Sequence, residues 1–366
     1  MLKLPQTNIL KRLDWYIIKK YLGTFGLAIV LIISISVVFD VAEKIDKFHD
    51  NNAPLEAIIF DYYMNFIPYF ANLFAPLFSL ISVIFFTSKM AYNTEIIACL
   101  AGGVSFHRLL RPYMIASTAI ALMVFVLSGF VIPHSNKTRL AFEDQYVKKF
   151  KSEMALNIQF EVEPGTIAYI ERYEQQRNRG YHFQLEKFDG KTLTSRMTAQ
   201  YVVFDSTDHW HVTEYLIRDF NGLYETVRTG SSLDTVIHMD PEDFFLTSDE
   251  APQMTTTELY RYLRKQRSRG VGNIQAFEDE FYKRFSMPLS VFILTIIGLS
   301  LSSRKVRGGT GLHIGIGIAL SALFILFSTV STTFAVSGAM STFTAVWLPN
   351  FLFGTLAVIL YIKAPK

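Results

Sequence analysis

Six runs of mostly apolar positions, each bounded by charge, glycine or polar loop, dominate the pattern of this chain. They fall at 21–41, 62–87, 113–133, 285–302, 312–334 and 345–362. A hydrocarbon core about 30 Å thick takes about 20 residues of helix, so each run predicts one membrane-spanning helix. Between the third and fourth runs the pattern changes to short segments rich in β-branched and aromatic residues, at 166–170, 181–188, 199–204, 210–217 and 233–239. Turn chemistry separates them: Pro164-Gly165, Asp189-Gly190, Asp205–Asp208 and Asn221-Gly222. Such spacing predicts an antiparallel sandwich or roll. Thr256 or Thr257, followed by Glu258, Leu259, Tyr262 and Leu263, predicts a capped amphipathic helix with Arg261, Arg264 and Lys265 outward, closing at Gly270. A polar-faced stretch, 276–284, continues into the fourth span.

The expected fold class is an α-helical membrane protein of six transmembrane helices with one inserted, extracytoplasmic β domain. The division is 1–133 for the first three spans, 134–280 for the insertion with its connecting helix, and 281–366 for the last three. The apolar run from Gly23 to Phe39 follows a basic start, but Asp40-Val41-Ala42-Glu43-Lys44 offers no small-x-small cleavage site, so it is read as a retained first helix.

Charge sets the expected orientation. Lys3, Lys11, Arg12, Lys19 and Lys20 precede the first span; Lys89, Arg108 and Arg111 lie between the second and third; Arg304, Lys305 and Arg307 follow the fourth, and Lys363 and Lys366 the sixth. Against them stand only Asp14 and Glu95, whereas the loop 42–61 is acidic. By the positive-inside rule both termini are cytoplasmic and the insertion is outside. Overall charge is only +3, which gives no footprint for nucleic acid. The one cysteine, Cys99, excludes an internal disulfide.

Few residues point to chemistry. Gly308-Gly309-Thr310-Gly311 lacks the Lys-Ser/Thr pair of a nucleotide loop, so ATP hydrolysis, if used, belongs to another chain. His209 and His211 flank Trp210 on one strand face without further ligands at metal spacing, so neither a metal nor a cofactor is expected. Ser34, Ser36, Ser79, Ser82 and Ser328 read as packing or backbone-bonding residues. The first three spans carry almost no ionisable residue at mid-depth, and His313 stands at the start of the fifth, which argues against ion coupling. Pro68 and Pro76 in the second span predict a bend, for packing or as a hinge. In the fifth span, Gly315/Ala319 and Gly317/Ser321 form small-xxx-small pairs, suited to packing within the chain or to a partner helix. Residues 93–105 predict a short capped helix closed by two glycines, its apolar face free for a groove in a soluble partner or for the lipid interface. Lys44, Lys47, Lys137 and Arg139, just beyond the first and third spans, are candidate contacts for phosphorylated lipid headgroups or an ordinary solvated face.

Three passages resemble one family. Leu13-Asp14-Trp15-Tyr16-Ile17-Ile18-Lys19-Lys20-Tyr21 is similar to the start of the first helix in the lipopolysaccharide export permease family LptF/LptG. The stretch Thr94 to Gly103 resembles its coupling helix, and Lys283 to Ser290, with Arg304–Gly311 and Trp347-Leu348-Pro349-Asn350, its later signatures. Members often have a base near the outer end of the first helix, where this chain has Asp40. The resemblance implies a permease subunit with a periplasmic β-jellyroll-like domain in the bacterial inner membrane. A paralogous permease would pair with it on a cytoplasmic ABC ATPase dimer. Lipopolysaccharide would leave through a gap between the first and fifth helices of the two chains, toward a periplasmic jellyroll bridge protein. Glu95, Ile96, Ala98, Cys99 and Gly102 would touch the ATPase, and the four bases would meet the headgroup. The competing expectation is a non-transporting scaffold or receptor whose β domain binds an envelope partner; a lipid-modifying enzyme lacks a catalytic cluster.

Overall fold

The computed structural model describes residues 12–147, 154–206, 208–222, 224–244, 248–268, 274–304 and 309–364. Gly270, Lys305, Arg307 and Gly308 lie outside the described residues. The chain forms two compact units, Met1–Val147 with Glu278–Lys366, and Lys148–Phe277.

The helical unit carries six helices long and apolar enough to cross a membrane. The first is α1 (Arg12–Asp50) and the second α2 (Leu55–Tyr92). A short helix, α3 (Glu95–Ala101), leads to the third span, α4 (Phe106–Tyr146). After the insertion and its helix α5 (Thr256–Ser268) come α6 (Gln275–Ser302), α7 (Gly309–Val336) and α8 (Thr342–Ile362). The helices overrun the apolar runs that predicted them, α1 and α4 by the most. α1 is 39 residues long, about 58 Å at 1.5 Å per residue, and α4 continues beyond residue 133 to Tyr146. Both α2 and α4 contain a wide π-helical turn, Ile58–Tyr63 and Leu127–Val131, the kind of insertion that re-aims the side chains on either side of it. Pro68 and Pro76 both sit inside continuous helix.

Where apolar helices meet, hydroxyls must satisfy one another. The buried Tyr21 hydroxyl lies 2.5 Å from Ser79 Oγ and 2.8 Å from Thr295 Oγ1, and Ser117 Oγ donates to Thr295 at 2.9 Å. This knot joins α1, α2, α4 and α6. Around it Ile17, Ile18, Phe86, Met90, Ile96, Leu109 and Tyr113 form one apolar cluster.

The inserted unit is a six-stranded antiparallel sheet in which each strand pairs with the next along the chain. The strands are β1 (Met154–Glu163), β2 (Thr166–Glu174), β3 (Arg179–Asp189), β4 (Thr192–Ser206), β5 (His209–Asn221) and β6 (Tyr224–Val236). The sheet is therefore a meander, with irregular registers near Glu161, Lys187 and Phe204. One face is apolar: Ile170, Phe183 and Ala199 align across β2, β3 and β4, above Trp210, Met239 and Val212. The sequence pattern did not predict β1 or most of β6, and β6 is exposed along nearly all its length. In α5, the cap is Thr255 rather than Thr256 or Thr257. Its Oγ1 accepts from Glu258 N at 3.3 Å, and the Glu258 carboxylate accepts from Thr255 N at 2.8 Å, the reciprocal box that S/T-x-x-E spacing requires.

Candidate functional site: a tethered short helix and the bases at the far end

The helix α3 is held on one side and bare on the other. Ile96 is fully buried in the main apolar cluster, while Ile97 is 46% exposed and Ala98 and Ala101 lie open beside it. Residue periodicity alone separates these faces, since positions one apart on a helix point about 100° apart. Glu95, at the first turn, accepts a hydrogen bond from the Tyr16 hydroxyl of α1 at 3.0 Å. Its position also suits the partial positive charge of a helix N-terminus. Cys99 is half-buried; burial, with the Glu95 carboxylate, pushes its thiol above the ordinary range, so it stays protonated at neutral pH.

The ends of α3 are built differently from the expected pattern. Thr94 does not cap the helix: it sits in the left-handed region at φ 64°, its hydroxyl bonded to the carbonyl of Asn93. A β-branched residue there is strained. Of the two glycines, Gly103 carries the positive φ of 83°, and Gly102 does not. Val104 N bonds to Cys99 O at 3.1 Å and Gly103 N to Leu100 O at 3.0 Å, a Schellman closure that fixes where the helix stops. Ser105 then caps α4, accepting from Arg108 N.

Behind the segment, Arg108 forks onto Asp14, with Nη1 at 2.7 Å from Oδ1 and Nη2 at 2.6 Å from Oδ2. Asp14 is 2% exposed. In the sequence Asp14 stands as a minority acid among bases and within the stretch that resembles the family's first helix; the separation of 94 positions conceals its partner.

At the far end of α1 the four bases divide. Lys44 is enclosed: its ammonium lies 2.8 Å from Asp40 and 3.8 Å from Glu143, bonds the Tyr62 hydroxyl and stands over that ring. Tyr62 and Tyr63 also donate to the two Asp40 oxygens, each at 3.2 Å. Beneath them Phe48, Tyr62, Phe66 and Phe142 form an aromatic cluster. Lys47 and Lys137 are exposed, and Arg139 lies over the Tyr69 ring at 5.0 Å. None of these three makes an ion pair among the described residues. Elsewhere, His211 pairs across strands with Asp234 at 2.6 Å, while His209 stands at the strand's start. His313 is buried, with Nε2 3.1 Å from the Arg304 carbonyl, a contact that anchors the start of α7.

The two small-residue pairs of α7 point different ways. Gly317 and Ser321 are buried, and a Cβ at Gly317 would come within 2.6 Å of Ile84 Cδ1 on α2, so this pair packs within the chain. Gly315 and Ala319 are exposed, with open space beside Gly315. Gly317→Val is accordingly expected to lower stability by about 1–3 kcal/mol through overpacking. Gly315→Ala should leave stability unchanged or slightly raised, through helix propensity. Thermal unfolding of the two purified variants in detergent checks both, and equal effects would refute the division.

Comparison with known proteins adds one finding. The family model described as the lipopolysaccharide export system permease LptF/LptG matches residues 15–363. A search of curated proteins finds no match.

Proposed function

Because this chain belongs to the lipopolysaccharide export permease family LptF/LptG, we propose that it is the permease subunit of an ATP-driven exporter, taking lipopolysaccharide from the inner membrane to a periplasmic bridge of β-folded proteins. In this reading the chain is a multi-pass membrane protein with both termini in the cytoplasm and the β unit in the periplasm, the arrangement its Lys/Arg asymmetry favours. ATP is hydrolysed by a separate cytoplasmic subunit, and a paralogous permease completes the pair.

The observation that carries the reading is the two-sided construction of α3. Ile97, Ala98 and Ala101 present an apolar strip that fits a groove of a soluble partner, while Ile96 and Glu95 fasten the same helix to the membrane bundle. A push on the strip is thereby delivered to α1. The cargo's phosphates would meet Lys47, Lys137 and Arg139 before Lys44, whose charge is already answered by Asp40 and Glu143. Arg139, stacked on Tyr69 and without an ion pair among the described residues, offers a planar fork suited to phosphate.

Affinity purification from native membranes tests the assembly: an ATPase, a second permease and lipopolysaccharide should accompany the chain. Purification without an ATPase would instead favour a scaffold. Glu95→Lys tests the segment. Loss of the carboxylate acceptor, worth about 1.5–3 kcal/mol as a charged hydrogen bond, should cut lipid release per ATP by about tenfold or more. Normal release from an assembled complex would remove Glu95 from the mechanism.

A further inference from the structure

The foot of α1 is gripped from both flanks of α3. In front, Glu95 holds the Tyr16 hydroxyl; behind, Arg108 holds Asp14 through two short bonds. Arg108 is itself fixed, because its backbone N–H is bound by the cap residue Ser105 that ends the segment. Between these two attachments Ile96 packs in the same cluster as Ile17, Ile18 and Tyr21.

Further along, α1 has a stretch without buried side chains before Asp40, Lys44 and Phe48 tie its outer end to α2 and α4. Its buried residues are Asp14, Ile17, Ile18, Tyr21, Phe25, Ile29 and Phe48, so nothing from residue 30 to residue 47 is buried. A rod about 58 Å long, seated at its foot, converts a tilt of about 6° into a shift of about 6 Å at its other end, which Asp40, Lys44 and Phe48 would pass on to α2 and α4. Such a rod needs a foot that turns with the segment and does not slip. A hydrophobic contact slides; a two-bond guanidinium–carboxylate fork fixes both distance and plane. As a stabilising device a buried ion pair is poor, since desolvation cancels most of its attraction. Its geometry is what distinguishes it from an apolar pair of equal volume.

We propose that Asp14 and Arg108 are positioning residues, forming the joint through which displacement of α3 tilts α1. This rests on the reading of α3 as the coupling segment, and it adds the transmitting contact. Neither residue need touch cargo or nucleotide.

Two measurements test it. The first uses the full-length chain alone in detergent, with Cys99→Ala in all samples and Tyr16→Cys/Glu95→Cys as a reporter of the foot's register. Cross-linking by a bis-methanethiosulfonate long enough to replace the Tyr16 and Glu95 side chains should proceed at least severalfold more slowly when Asp14→Asn or Arg108→Lys is added. Unchanged rates would overturn the joint, whatever the partner subunits do. The second uses the complex with its ATPase in nanodiscs containing lipopolysaccharide. Asp14→Asn and Arg108→Lys should leave ATP turnover within about twofold while lipid released per ATP falls by about tenfold, as the loss of one charge-assisted contact implies. Arg108→Lys keeps the charge and loses the fork, so it decides the matter if Asp14→Asn fails to assemble. Turnover and release falling in proportion would mean a merely structural role. Failure of the wild-type chain to bind any ATPase would defeat the coupling reading, while the cross-linking result would still stand for or against the joint.

Discussion

Trp210→Ala should unfold the inserted β unit at temperatures where the parent is intact, with a loss of about 3–5 kcal/mol. Trp210 is 1% exposed and is among the largest wholly buried side chains described. Its ring meets Phe204 at 5.2 Å and Tyr173 at 6.3 Å edge to face, and Phe244 lies 6.1 Å away. Its indole N–H donates to the Met239 carbonyl at 3.3 Å, so truncation also strands an acceptor that the strand's end had satisfied. Domains of this size hold only about 5–15 kcal/mol in reserve, and one such cavity consumes a large part of it. The measurement is limited proteolysis with intact-mass analysis across a temperature ramp. Cleavage should begin within 154–244 while the helical unit remains whole; a cleavage profile matching the parent's would show that the ring is dispensable. Trp210→Phe, which keeps most of the contact area, should fall between.

Arg284→Met is expected to destabilise the helical unit by about 3–5 kcal/mol, because it removes a wholly buried guanidinium from its part-buried carboxylate partner. Arg284 is 1% exposed and donates from Nε to Glu280 at 3.1 Å, one turn back along α6. Asp279 lies in the adjacent position, paired with Lys283 at 2.6 Å and accepting from Thr332 of α7 at 3.3 Å. Four charges thus balance within two turns. The double variant Arg284→Met/Glu280→Gln should recover most of the loss, since removing both partners costs far less than removing one. Thermal unfolding in detergent reads both; a double variant no better than the single would show that Arg284 acts through other contacts.

The six spans were legible from length and hydropathy because nothing else satisfies the backbone in hydrocarbon. Their true ends were not. α1 runs on to Asp50 and α4 to Tyr146 because polar turns add no apolar signal. In the β unit, β2 to β5 showed through their alternation, whereas of β6 only the end was caught, by the run 233–239; the stretch from Tyr224 to Ser232 is polar and exposed and leaves no period to detect. At the site, residues 93–105 stood out from sequence, including an apolar face and a glycine stop. What stayed hidden were the long-range partners: Tyr16 for Glu95, Arg108 for Asp14 and Glu143 for Lys44. Only the Asp40–Lys44 pair, one turn apart, could have been seen in advance.

The wide turns at Ile58–Tyr63 and Leu127–Val131 make chain length itself a heritable property of this protein. Each accommodates one surplus residue. Excising it would close the turn to ordinary helix and swing the preceding stretch round by about 100°. In the first case Ala57 and Ile58 would leave the aromatic cluster against which they pack. Single-residue deletions there should be lost from natural lineages, while the hairpin tips at Gly190 and Gly222, with open space where a Cβ would stand, can take inserted residues.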